Sequence, residues 1–155
     1  MPTSKRKTII KSLVIVILIF DQLSKYIVSQ RLPLGRSIPI IKNVFHLTYI
    51  LNRGAAFGIL KNQTYFFIIA AIAAIIFILI NLRRTRALKV KIALSLILSG
   101  AASNLLDRIR LGAVVDFLDF RIWPVFNFAD SAISIGAILL AYSLLAGKNT
   151  ARSRA

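Results

Sequence analysis

The chain has 155 residues, 57% of them hydrophobic, and a formal net charge of +16 from 21 basic and 5 acidic residues. That length allows one compact unit, and a mean hydropathy of +0.76 excludes an ordinary water-soluble domain. With no cysteine and a single histidine, His46, the chain cannot build disulfides, zinc thiolate sites, thiol nucleophiles or multi-histidine metal sites.

The basic cluster Lys5, Arg6 and Lys7 leads into a first apolar run, about residues 9–28. This imitates a secretory signal, which should close on a small-residue cleavage pattern. The sequence instead gives Asp21-Gln22-Leu23-Ser24-Lys25-Tyr26, so a retained transmembrane helix is expected. Asp21 and Lys25, four apart, share a helix face and can form a buried ion pair that locks helix packing.

An outer segment follows at about residues 30–64, punctuated by Pro33, Gly35 and Pro39. From Asn43 to Asn52 the residues alternate, with Phe45, Leu47, Tyr49 and Leu51 on one side and Val44, His46, Thr48, Ile50 and Asn52 on the other. A period of two predicts a β-strand with one apolar face. It belongs to a small sheet resting on the outer leaflet, with Trp123 and Tyr65 as interfacial anchors. Asn52-Arg53-Gly54-Ala55-Ala56-Phe57-Gly58 reads either as a plain turn or as a platform offering backbone groups and the Asn52 amide to an extended peptide.

Three more apolar runs lie at about 65–82, 90–106 and 131–146. A bilayer core takes about 20 helical residues, with about 17 as a lower limit, so the fourth run needs a further turn at either end. Lys and Arg gather at the ends of these runs rather than on one amphipathic face, which orients membrane proteins and argues against nucleic-acid binding. Arg83, Arg84, Arg86, Lys89 and Lys91 assign the 83–91 hairpin to the cytoplasm. The basic N-terminus and Lys148, Arg152 and Arg154 put both termini on that side, leaving 30–64 and 107–130 outside.

All five acids are aspartates, Asp21, Asp107, Asp116, Asp119 and Asp130, and four of them fall between 107 and 130. A charged side chain at the centre of a membrane helix costs roughly 2.5–3.5 kcal/mol even on insertion scales, so their retention points to carboxylate chemistry at the membrane surface. Ser95, Ser99, Ser103 and Asp107 recur every fourth residue and form a packing face. Asn104 and Arg108, also four apart, point from the same helix toward the acidic segment. Asp107 beside Arg108 is either a helix-end charge pair or a support for the site.

Asp116 lies within the apolar stretch Val114–Leu118, and Asp130 opens the fourth helix, where it can also serve as a cap. Two carboxylates held close share one proton. The charged one can then take a proton from water while the neutral one donates to a carbonyl oxygen. Residue pattern alone leaves Asp116 and Asp119 both open as the partner of Asp130. The two point to opposite faces in a strand and are neighbours in a helix.

Together these segments resemble the lipoprotein signal peptidases, the type II signal peptidases of bacterial inner membranes. The likeness runs from Asp21 to about Gly136 and rests on four motifs in family order. These are Asp21-Gln22-Leu23-Ser24-Lys25; Asn52 to Gly58; Asn104-Leu105-Leu106-Asp107-Arg108; and Gly112-Ala113-Val114-Val115-Asp116-Phe117 with Phe126-Asn127-Phe128-Ala129-Asp130-Ser131. The resemblance implies a membrane aspartic endopeptidase that cuts diacylglyceryl-modified prolipoproteins just before the lipidated cysteine, using no metal or organic cofactor. It implies Asp116 and Asp130 as the catalytic pair. It further implies that Asn52, Gly54, Asn104, Arg108 and Asn127 line or support the pocket, and that Asp21 supports the helix core. Ser103 departs from the glycine common at that position and is expected to tighten local packing.

The expected architecture is membrane α-helical: a four-transmembrane-helix bundle in one peptidase domain, residues 1–155, with both termini inside. A β-cradle lies on the outer face between spans 1 and 2, and a catalytic outer segment covers about 107–130. The expected setting is the bacterial cytoplasmic (inner) membrane, multi-pass, with the active site near the outer face. Its partners are lipid-modified prolipoprotein and membrane lipid, and a monomer is expected. The alternatives are a small proton-coupled transporter or channel subunit relaying protons through Asp21 and Asp130, or a non-catalytic scaffold.

Overall fold

The computed structural model describes residues 3–54 and 63–152, so Ala55 to Gly58 of the glycine-containing motif lie outside the described residues. Helix α1 (Thr3–Arg31) is followed by strands β1 (Ser37–Ile41) and β2 (Phe45–Asn52). Then come helices α2 (Thr64–Arg84) and α3 (Leu88–Leu111), strand β3 (Val114–Asp119) and helix α4 (Phe128–Arg152). All four helices are long and apolar enough to cross a membrane. The fourth reaches 19 residues, Phe128–Ala146, by drawing Phe128, Ala129 and Asp130 into its first turn.

The outward helix surfaces suit hydrocarbon: Ile69, Phe77, Ile135 and Ile138 are each more than half exposed. Packing between helices uses small and polar residues instead, because lipid gives apolar side chains no reason to leave it. Ser95, Ser99 and Ser103 are fully buried on α3. The Ser99 hydroxyl donates to the Ser95 carbonyl at 3.0 Å, and Ser95 donates to Lys91 at 2.8 Å. Two glycines set the approach of α3 and α4. A Cβ on Gly100 would overlap the Ala129 carbonyl, and one on Gly136 would come within 2.8 Å of the Ala93 carbonyl oxygen.

The three strands form one antiparallel sheet in the order β1-β2-β3. The sequence places this sheet wholly between the first and second spans, but its third strand comes from the segment between α3 and α4. Every residue of β3 is buried, so it carries no alternating signature. The apolar row of β2 meets it as the alternation requires: Phe45, Leu47, Tyr49 and Leu51 pack with Val115, Phe117 and Leu118, against Val28 and Leu32 of the α1 end.

Between Leu47 and Ile50 the register slips, with three steps along β2 matching two along β3. This bulge changes which side chains meet across the pair. Thr48 Oγ1 donates to Asp119 at 2.7 Å, and Asn52 Nδ2 donates to Asp116 at 2.9 Å. Acids three apart on β3 therefore both reach even-numbered residues of β2. Gly112, at φ +67°, ends α3 in a left-handed cap, its N–H bonding the Arg108 carbonyl at 3.0 Å. Thr64 ties the start of α2 to the same glycine's carbonyl at 2.9 Å.

Candidate active site

The strand-to-helix connection brings the two acids together. Phe126 pairs with Leu118 of β3, with reciprocal backbone bonds of 3.0 and 2.8 Å. This delivers the next residue, Asn127, to the side of β3 just ahead of α4. Asn127 is fully buried and bonds to both acids. Its Nδ2 donates to Asp116 Oδ1 at 2.7 Å, and its backbone N–H donates to Asp130 Oδ2 at 3.3 Å. Its Oδ1 accepts the Asp130 N–H at 2.8 Å, a reciprocal cap on α4.

Each acid has a second amide partner from a different element. Asn52 of β2 serves Asp116, and Asn104 of α3 serves Asp130 through Nδ2 at 2.8 Å. Asn104 Oδ1 in turn accepts from Asn127 Nδ2 at 3.2 Å. The Gly54 N–H fixes the Asn52 oxygen at 3.0 Å. Asp116 is 1% exposed. Burial pushes its carboxyl up to about 7, and the charge of Asp130 adds to the rise, while hydrogen bonds from Asn52 and Asn127 and the charge of Lys25 oppose it.

Asp119 plays a different part. The Arg121 N–H bonds to its Oδ1 at 2.9 Å and the Arg121 guanidinium to its Oδ2 at 3.0 Å, closing a turn in which Arg121 itself has φ +65°. Burial works against its charge, but the Thr48 hydroxyl and the two Arg121 groups together hold it below the usual carboxylate range. It is committed to holding the sheet edge.

Beneath the pair lies a polar network. Asp21 is fully buried, pairs with Lys25 at 2.7 Å, and accepts the Ala129 N–H at 2.8 Å, thereby tying α1 to the start of α4. Asp107 does not pair with its neighbour Arg108. It pairs with Lys25 at 2.8 Å and accepts from the Val115 N–H at 3.3 Å, one residue from Asp116. Ser103 does more than fill space: its hydroxyl donates to Asp21 at 2.7 Å and accepts from Gln22 at 2.9 Å. The connections through Lys25, Gln22 and Asp107 escape sequence reasoning. The i,i+4 spacing marks the Asp21–Lys25 pair, but the partners on α3 lie about 80 residues away in sequence.

Arg108 lies over the Phe67 ring, 5.1 Å from its centroid, and faces the charges of Asp130, Asp116 and Asp107. With Arg53 it lines a cavity of about 560 Å³ walled by Thr64, Tyr65, Ile68 and Ile109. Two carboxylates in one amide frame can divide a proton between them, and Arg108, which faces the charges of both, also lines the cavity. Among the described residues no group of three or more His, Cys, Asp or Glu side chains is gathered to hold a metal ion.

Four membrane-length helices, with two acids held by one asparagine at one end, define a multi-pass membrane protein. The profile described as signal peptidase (SPase) II matches residues 13–146, and the chain belongs to that family of bacterial membrane peptidases. It is 53% identical over 128 residues to the lipoprotein signal peptidase of Halothermothrix orenii, covering 82% of this chain and 88% of the relative. It is 50% identical over 138 residues to that of Clostridioides difficile, covering 86% and 93%. A solved structure described as a bacterial membrane enzyme superposes with a TM-score of 0.88 at 34% identity, covering 92% of this chain and 91% of the other. A second, described in the same words, gives 0.80 at 36% identity, covering 89% and 93%. The transporter reading finds no support in this membership.

Proposed function

We propose that this chain removes signal peptides from diacylglyceryl-modified prolipoproteins by aspartic-protease chemistry, with Asp116 and Asp130 as the catalytic pair. The observation that carries the reading is the bonding of both acids to one residue, Asn127. Asp116, pushed up to about 7, holds the proton the pair shares near neutral pH. A water between them gives its proton to Asp130 as its oxygen attacks the scissile carbonyl carbon, while Asp116 protonates the carbonyl oxygen. The carbonyl then re-forms as the C–N bond breaks. Its hydroxyl proton returns to Asp116, and the proton on Asp130 passes to the leaving amine.

In this reading Asn52, Asn104 and Asn127 hold the acids, Gly54 holds Asn52, and Asp21 anchors the first turn of α4. Arg108 faces the cavity and orients the substrate backbone. The lipid chains remain in the bilayer beside the exposed apolar faces of the helices. The basic α2–α3 connection lies at the bundle end opposite the acids, which supports termini inside and a site near the outer membrane face. The test is incubation of purified protein with a lipid-modified precursor and with the same precursor unmodified. Cleavage confined to the modified form, before its cysteine, is expected. Equal cleavage of both would remove the lipid requirement, and cleavage of neither would remove the activity.

A further inference from the structure

Lys25 is 3% exposed, yet it touches neither proposed catalytic acid. An ammonium has three protons to donate, and all three are used: Asp21 Oδ2 at 2.7 Å, Asp107 Oδ2 at 2.8 Å and Asn104 Oδ1 at 2.9 Å. The third bond has a consequence for Asn104. A primary amide can present either its oxygen or its nitrogen to a neighbour, and only its partners decide which. Asn104 Oδ1 meets two groups that can only donate, the Lys25 ammonium and Asn127 Nδ2. Its nitrogen is thereby turned to Asp130 Oδ1 at 2.8 Å. A reversed amide would set N–H groups against an ammonium and turn a carbonyl oxygen to a carboxylate.

We propose that Lys25 is a positioning residue for the catalytic pair, its ammonium fixing the Asn104 amide so that Asp130 is held by an N–H and Asn127 by an oxygen. The inference rests on the reading of Asp116 and Asp130 as that pair. Lys25 also acts through charge. It sits among acids from four elements, Asp21 of α1, Asp107 of α3, Asp116 of β3 and Asp130 of α4, with Arg108 of α3 as the other cation facing the pair. Its charge favours the ionised form of Asp116.

The test compares Lys25→Met with wild type on a lipid-modified precursor, in protein shown to be folded by its thermal melt. Freed of its fixed donor, the Asn104 amide can turn. Misplacement of a reacting group on that scale lowers kcat on the order of 100-fold, with KM near the wild-type value. The alkaline limb of the rate profile should also move to higher pH, because Asp116 loses a cation that favours its charge. Loss of packing alone would lower the folded fraction without moving that limb. If the single variant does not fold, Lys25→Met with Asp107→Asn removes one charge of each sign and carries the same two readouts. Wild-type kcat and an unmoved profile in folded Lys25→Met would overturn the proposal, as would a change confined to KM. A wild-type Lys25→Met beside an inactive Asp130→Asn removes this inference alone. An active Asp130→Asn removes the catalytic pair and this inference with it.

Discussion

The shortest bond made by the buried side chain of Asn127 is the 2.7 Å one from Nδ2 to Asp116 Oδ1, and the same residue's backbone N–H donates to Asp130 Oδ2 at 3.3 Å. One residue therefore sets the spacing of the two acids. Replacing it with leucine, similar in size but without hydrogen bonds, leaves buried polar partners unsatisfied at about 1–3 kcal/mol each. Asn127→Leu should lower the melting temperature and reduce turnover by on the order of 100-fold. Thermal melts and steady-state cleavage check both.

The titration of Asp116 gives the activity a pH signature. With its carboxyl near 7, kcat/KM should fall as pH rises past about 7 and the shared proton is lost. Asn52 favours the charged form, so Asn52→Ala should shift that limb to higher pH. A profile unmoved in the variant contradicts the assignment.

The same shift acts on stability. The folded carboxyl lies above its ordinary value of 3.8, so the folded state holds the proton more tightly. The resulting stabilisation is fully present below about pH 4 and is lost as pH rises through about 7. Asp116→Asn, which cannot ionise, should show a smaller decline in melting temperature over that window.

Asp119 offers the contrast. Its carboxyl is held below the usual range by Thr48 and Arg121, so its contribution is present above the ordinary carboxylate value and is lost as pH falls below it. Asp119→Asn should loosen the sheet edge, read as faster amide exchange in β2 and β3, while cleavage stays at the wild-type order.

Gly100 tests the helix contact under the site. Any side chain there meets the Ala129 carbonyl, backbone that adjoins Asp130. Gly100→Val should cost about 1–3 kcal/mol of stability, the usual range for overpacking, and should lower turnover by shifting α4 relative to Asp116.

The helices were legible because their residues answer to lipid, and lipid leaves long uninterrupted apolar runs. Strand β2 was legible because one face is polar and the other packs on β3. Strand β3 was not, since burial on both sides erases the period of two, and its two acids disguise a buried strand. The bulge between Leu47 and Ile50 was likewise invisible, although it decides that Thr48 meets Asp119 while Asn52 meets Asp116. The motif residues Asn52, Asn104, Asp116, Asn127 and Asp130 meet in one hydrogen-bonded cluster. Which amide holds which acid, and the pairing of Lys25 with Asp107, depend on contacts between segments far apart in sequence.

On the proposed mechanism neither Asp116 nor Asp130 can cleave without the other. The most direct test measures turnover of a lipid-modified precursor by Asp116→Asn and by Asp130→Asn, each confirmed to be membrane-inserted and folded. Loss of cleavage in both is the predicted result; turnover at the wild-type rate by either variant would contradict the account.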